Sequence, residues 1–174
     1  MNDIRKAKSG DLDDILKVVS EARAFIASYG SDQWQDGYPE PEVIEGDIEN
    51  AVGYVYENET GIHAYAALIP GHEPVYDQLK DGWVTDNDSY VTLHRLCTDH
   101  DCRSRGVGKK MLAQAEAVAR ENALTSVRVD THKLNLSMQG LLKKNGYVYC
   151  GEVLYEVTEG DPVRICFEKD LTEK

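Results

Sequence analysis

Apolar side chains recur along this chain with two periods, and the switches between them outline its elements. Residues 2 to 8 read as a short opening strand. Ser9, Gly10 and Asp11 supply a turn and helix cap, after which Leu12, Ile15, Leu16, Val19, Ala22 and Ile26 recur at helical spacing until near Gly30. A polar loop with aromatics, Ser31 to Tyr38, leads to a proline-started helix from Pro41 to Asn50. Strands Tyr54 to Glu57 and Ile62 to Ile69 form a hairpin across the turn Asn58 to Gly61. Residues 70 to 89, rich in aspartate, glycine and proline, read as a long loop with one helical turn; loops of that length are functional or disordered.

The second half alternates more regularly. A strand from Tyr90 to Thr98 precedes a helix from Gly106 to Asn122, whose Val107, Met111, Leu112, Ala115, Val118 and Ala119 share one face. A strand Ser126 to Thr131, a helix Asn135 to Lys144, and strands Tyr147 to Val157 and Val163 to Lys169 complete the chain. This order predicts a mixed α/β domain over residues 1 to 174, without repeats or an interior linker. An apolar content of 41% and a charged content of 29% fit a folded soluble protein. The first residues lack the apolar core of a signal peptide, and no stretch is apolar enough to span a bilayer, so a cytoplasmic protein is expected. Cys97, Cys102, Cys150 and Cys166 show no paired C-x-x-C spacing and read as reduced, packed thiols, with no metal expected.

The formal charge of -12 argues against nucleic acid or an anionic membrane as partner. Its distribution adds more. Residues 1 to 89 carry 19 acidic and 6 basic side chains, whereas residues 90 to 174 carry 12 and 13. The local exception is Asp99 to Lys110, where Arg103, Arg105, Lys109 and Lys110 surround Gly106 and Gly108 between a strand and a helix. A helix N-terminus offers unpaired N–H groups and a positive dipole end, and glycine admits an anion close to the backbone, so the turn reads as a polyphosphate site. It is not a Walker A loop, because Lys109 is followed by Lys110 and the glycine spacing is wrong. Nor does it complete G-x-G-x-x-G, since Met111 holds the third glycine position. Asp130 nevertheless stands where a ribose contact would be, which leaves a dinucleotide reading weakened but open.

Arg103 to Gly108 also fits the [QR]-x-x-G-x-[GA] signature by which the chain resembles the GNAT superfamily of N-acetyltransferases. The strand Val91 to Thr98, the strand Val127 to His132 and the run Asn135 to Tyr147, similar to N-x-x-[AM]-x-x-L-x-x-K-x-G-[FY], extend the resemblance, and the element order follows it over nearly the whole chain. The resemblance implies a mixed, mostly antiparallel sheet with a splayed parallel strand pair and flanking helices. It implies acetyl-CoA as cosubstrate and direct attack by the amine of a small molecule or peptide. Backbone contacts to the cofactor then fall to Leu96, Cys97 and Thr98, the Cys97 N–H being a donor to the developing oxyanion. Within the signature Arg103, Ser104, Arg105, Gly106, Val107, Gly108 and Lys109, the amides from Arg105 onward would hold the pyrophosphate. Asn135 would meet the pantetheine.

An amine with a pKa near about 10.4 must lose a proton to attack. His94, mid-strand beside the expected acetyl position, suits a general base; packing in the strand is the equal alternative, because a bulge expected in this strand keeps alternation from telling which way the side chain faces, and Asp99 and His132 are weaker choices. The tyrosine that protonates the departing thiolate in this family is replaced by Leu142, so that role has no owner. Trp34 and Tyr38 lie in the loop that borders the acceptor site in the family, where they could bind substrate or anchor the loop. Two other functions compete with acetyl transfer: a CoA-binding sensor without turnover, and a nucleotide-binding oxidoreductase using Gly106, Gly108 and Asp130. Edges of the last strands leave a homodimer open.

Overall fold

The computed structural model describes residues 3–172 of the chain. Its strands β1 (Asp3–Lys6), β2 (Gly53–Asn58), β3 (Gly61–Pro70), β4 (Tyr90–Thr98), β5 (Ser126–Thr131), β6 (Val148–Leu154) and β7 (Val163–Asp170) form one sheet. Their spatial order is β1-β2-β3-β4-β5-β7-β6. Every neighbouring pair is antiparallel except β4 and β5, which run parallel. The helices are α1 (Leu12–Ser28), α2 (Pro41–Glu49), α3 (Val107–Glu121) and α4 (Leu136–Lys144). This is the fold class that the sequence predicts. The element bounds agree to within a few residues; residue 2 of the opening strand lies outside the described residues.

Period-two alternation sends successive strand residues to opposite faces, and helices cover both. Tyr54 and Tyr56 of β2, Ala64, Ala66 and Leu68 of β3, and Leu93 of β4 pack with Met111, Leu112 and Ala115 of α3. Val55, Tyr65 and Cys97 face the other way, onto Ile15, Val18, Val19 and Ala22 of α1 and Ile44 of α2. The last strand does not pair at the sheet's edge as a simple closing hairpin would. It inserts between β5 and β6, a non-local pairing that no local pattern announces.

The segment from 70 to 89 is folded. A 3-10 turn, Pro74–Leu79, buries Tyr76 against Trp83 and Tyr90, with ring centroids 4.8 and 6.2 Å away. Below it lies the ion pair Arg128–Glu168, Nε to Oε1 3.0 Å, with Glu168 fully buried. Glu168 also accepts from the Thr85 amide and the hydroxyls of Thr85 and Ser126, while Arg128 donates to the carbonyls of Thr85 and Asn87. The guanidinium further stacks on Tyr90 and Trp83, 4.0 and 4.3 Å from their centroids. A buried charge is tolerated when its partners are this complete.

Candidate active site

The parallel pair β4 and β5 is hydrogen bonded only from Tyr90–Ser126 to Leu93–Val129. Beyond that rung the strands separate. On the other side of β4, Tyr65 stays opposite Cys97 and Ala67 opposite His94, so Arg95 and Leu96 together face Ala66. That is a β-bulge, and Arg95 adopts a φ of 59°, a left-handed conformation that costs a non-glycine residue energy. The bulge turns the end of β4 away from β5 and opens a wedge. The resulting cleft, of about 1000 Å³, runs from the loop after α1 to the start of α3 and is walled by residues of β4, β5 and α4.

Cations cluster at one end. Gly106, with φ 82°, precedes α3 without a side-chain cap, and the first helical bond is donated by Lys110 to the Gly106 carbonyl. The amides of residues 106 to 109 have no partner one turn back in the helix and are available to an anion, whereas that of Arg105 donates to the Cys102 carbonyl. Arg103, Ser104, Gly106, Gly108, Lys109 and Lys144 line this end. Gly108 also permits tight helix packing, because a Cβ there would sit 2.8 Å from Leu141 Cδ2. Arg103 stacks its guanidinium 3.8 Å from the centroid of Phe25.

At the opposite end the first residues past the last rung carry the chemistry. His94 is half-buried, and its Nε2 lies 3.1 Å from Glu73 Oε2. The His94 contact, against the opposing effect of burial, holds the Glu73 carboxyl below its usual range. Across the wedge, Asp130 Oδ2 accepts from the hydroxyls of Tyr76 (2.7 Å) and Tyr155 (2.8 Å). Burial, reinforced by the Asp130 charge, pushes both phenols well above their ordinary pKa. Glu73 caps the 3-10 turn and Tyr76 lies within it, so this one segment supports both walls. Asp36, Glu40 and Glu156 also line the cleft.

The acceptor-side loop is tied from two directions. Arg23 of α1 donates to the carbonyls of Trp34, Gly37 and Tyr38. Arg95 forms a bidentate pair with Asp47 of α2 and donates to the Tyr38 hydroxyl at 2.8 Å. Tyr65 donates to the same Asp47 carboxylate at 2.5 Å. Trp34 and Tyr38 both line the cleft, their rings 6.4 Å apart.

Of the residues singled out from the sequence, Trp34, Tyr38, His94, Leu96, Cys97, Thr98, Arg103, Ser104, Gly106, Gly108, Lys109 and Asn135 line this cleft. Arg105 and Val107 do not. Arg105 is exposed with its N–H donated to the Cys102 carbonyl at 3.3 Å, and the Val107 side chain is in the core, so of the two only the Val107 amide is left toward the turn. The Asn135 carbonyl oxygen caps α4 by accepting the Met138 N–H, which leaves its NH2 group for any ligand. The Cys97 thiol is packed against α1, and burial pushes its pKa up to about 12, the opposite of an activated nucleophile. Asp99 and His132 lie outside the cleft lining. Leu142 is fully buried, and Tyr147 is a core residue. Asp47, Arg95, Glu73, Tyr76 and Tyr155 are additions that the sequence reading did not single out. An aspartate on the apolar face of α2 beside Ile44 and Ile48, and a glutamate directly before Pro74, were the available signals.

Residues 20–147 match the model of the acetyltransferase (GNAT) family. Among solved structures, a GNAT-family acetyltransferase from Streptococcus agalactiae is 39% identical, with a TM-score of 0.82 over 99% of this chain and 96% of that one. The PaiA N-acetyltransferase of Thermoplasma acidophilum, solved in complex with coenzyme A, shares the fold at 18% identity and a TM-score of 0.72, covering 98% and 99% of the two chains. The ribosomal-protein-S18-alanine N-acetyltransferase of Escherichia coli does so at 14% and 0.69, over 100% and 96%. No significant match is found among curated proteins. The dinucleotide reading falls with these matches, and Asp130 is occupied by two tyrosines instead. No helix of the described residues is long and apolar enough to cross a membrane.

Proposed function

Because the chain belongs to the GNAT acetyltransferase family, we propose that it transfers the acetyl group of acetyl-CoA to an amine by direct attack, as a cytoplasmic single-domain enzyme. The observation that carries this is the wedge, whose basic end and carboxylate end meet where β4 leaves β5. The turn from Arg103 to Lys109 and the NH2 group of Asn135 hold the cofactor, with the pyrophosphate on the amides before α3. Its thioester lies against the freed edge of β4; the register that sends the Asp99 N–H to the His63 carbonyl turns the Cys97 N–H toward Tyr65 of β3, so the neighbouring amides of Leu96 and Thr98, not that of Cys97, meet the oxygen that gains charge. His94, oriented by Glu73, accepts the proton that the amine sheds as it attacks, and the tetrahedral intermediate then expels the CoA thiolate.

Acetyl transfer without a dedicated acid is tolerable, since a thiol pKa near about 8.5 makes the thiolate a fair leaving group. Trp34 and Tyr38 shape the acceptor end. Net negative lining there, from Asp36, Glu40, Glu73, Asp130 and Glu156, selects an acceptor that is cationic overall. Arg95 does not offset it, being neutralised by Asp47, and Arg164 offsets only one of the five. The test is thiol release from acetyl-CoA against a panel of polyamines, amino sugars, amino acids and peptide N-termini. Turnover with a cationic amine is the expected result. Acetyl-CoA binding with no acceptor-dependent release would instead mark a cofactor-binding sensor, the reading that the buried Leu142 at the usual tyrosine position favours.

A further inference from the structure

One buried group of side chains has no part in acetyl transfer. Among the described residues, His63, Asp99 and Cys102 are the one set of three metal-ligating residues whose ligand atoms all lie within 4.8 Å of one another. They are 7%, 8% and 8% exposed. His63 comes from β3 and the other two from the turn after β4, so no sequence spacing joins them.

Hydrogen bonds around the group fix which atoms face inward. The Thr60 N–H donates to Asn58 Oδ1 at 2.8 Å, which sets the orientation of that amide, and the Thr60 hydroxyl donates to the same oxygen at 2.7 Å. With that proton used, His63 Nε2 has only acceptors beside it, Thr60 Oγ1 at 2.7 Å and Asn58 Oδ1 at 2.9 Å, and therefore carries its hydrogen. Nδ1 is left facing Asp99 Oδ2, 2.5 Å away. The other Asp99 oxygen, Oδ1, accepts the Cys102 N–H at 3.0 Å. Imidazole and carboxylate are each held by an outer partner, while Nδ1 and Oδ2 face each other within 4.8 Å of the Cys102 thiol. Metal-binding histidines and carboxylates are oriented in this way.

We infer that His63 Nδ1, Asp99 Oδ2 and Cys102 Sγ bind a divalent transition-metal ion of the zinc type. A nitrogen, an oxygen and a sulfur donor suit zinc in tetrahedral coordination, with water as fourth ligand. The ion takes the place of the contact between Nδ1 and Oδ2, which draw apart around it, and the thiol gives up its proton on ligation, so binding releases protons. Cys102 lines the cleft, which gives the ion a way in. Because Asp99 and Cys102 begin the turn that ends at Gly106, a bound ion braces the backbone leading to α3. The site does not depend on the acetyl-transfer reading.

The test is titration of reduced, tag-free, metal-free protein with Zn(II), by calorimetry in two buffers of different ionisation enthalpy. One ion per chain with release of protons is expected, together with a raised Tm. Cys102→Ser should lower affinity about a hundredfold or more, while Cys150→Ser, remote from the group, should leave it unchanged. Co(II) added to the wild-type protein supplies a readout free of any folding defect, since thiolate ligation gives an intense near-ultraviolet charge-transfer band. Absence of that band, or Zn(II) affinity indifferent to Cys102→Ser, overturns the assignment and leaves a hydrogen-bonded histidine–aspartate pair that only ties the hairpin to the turn.

Discussion

Arg95 and Asp47 meet as a buried bidentate pair, with Nε to Oδ2 at 2.9 Å and Nη2 to Oδ1 at 2.6 Å. The arginine stands at the bulge that opens the wedge, and its third contact is the Tyr38 hydroxyl in the acceptor loop. One ion pair therefore holds the left-handed residue of β4, helix α2 and the acceptor wall in register. Removing one member strands the other's charge in the interior, which typically costs about 3–5 kcal/mol. Asp47→Ala should lower the urea midpoint accordingly. In whatever fraction stays folded, the acceptor KM should rise more than the acetyl-CoA Kd. An unchanged midpoint would mean that water reaches the guanidinium and the pair is ornamental.

His94→Ala is expected to reduce kcat about a hundredfold, the usual scale for losing a general base, with acetyl-CoA affinity near normal. Glu73→Gln keeps a hydrogen-bonding group in place but removes the charge 3.1 Å from Nε2, so its loss should be smaller. Steady-state kinetics on both variants settle the order. If Glu73→Gln proves the worse of the two, the carboxylate rather than the imidazole takes the proton.

The contiguous part of this site was readable before any coordinates. Arg103 to Gly108 lies in one stretch, and the helix dipole, the glycines and the cations all argue for an anion there. What escaped was everything closed by contacts across the chain: Asp47 to Arg95 across 48 positions, Tyr155 to Asp130 across 25, and Glu73 to His94 across 21. A bulge is expected in this strand, but its place at Arg95 and Leu96 is not, because two residues opposing one leave no mark in the apolar pattern. Residues 70 to 89 showed turn formers but not the Arg128–Glu168 pair that organises them. The insertion of β7 inside β6 was hidden for the same reason.

Gly108→Asp should abolish detectable acetyl-CoA binding while the protein remains folded. A carboxylate at the start of α3 opposes both the dipole and the phosphates. The new Cβ meets only the end of the Leu141 side chain, which can turn aside, rather than backbone. Circular dichroism and cofactor-induced thermal shift measure the two halves of this statement separately. Retained binding in a folded variant would move the pyrophosphate off this turn.

His132 supplies a pH dependence whose sign can be worked out. Its ring is 2% exposed, with Nε2 3.4 and 3.6 Å from carboxylate oxygens of Asp32 and Asp161. Burial, aided by Arg164 and Lys133 against the pull of Asp161 and Asp32, holds its pKa below the ordinary value. As pH falls through about 6.5, the unfolded chain takes up a proton that the folded chain declines, so stability is lost on the acid side and not on the alkaline side. His132→Gln should therefore show a smaller drop in urea midpoint between about pH 7.5 and 5.5 than the wild type does. Equal drops would mean that His132 is not the source of the acid sensitivity in this window, since carboxylates such as Asp11, whose pKa the Arg5 contact lowers, give up their stabilisation only at lower pH.

The charge of the acceptor can be read from salt. Between Asp32 and Asp88 the sequence carries 14 acidic side chains against the single Lys80. Of these, only Asp36, Glu40 and Glu73 line the cleft, where Asp130 and Glu156 join them. The remaining carboxylates still contribute to the field outside the mouth, while the cations at the cofactor end are positioned to meet phosphates. A cationic amine approaching the acceptor end is thus drawn in by a potential that screening weakens over about 8 Å at 0.15 M salt. The acceptor kcat/KM should fall as ionic strength rises from roughly 0.02 to 0.3 M. Neutralising the rim with Asp36→Asn and Glu40→Gln should flatten that slope, because neither side chain is assigned a part in the chemistry. A best acceptor with net negative charge, or a rate indifferent to salt in both proteins, would reduce the acidic half of the chain to a solvated surface.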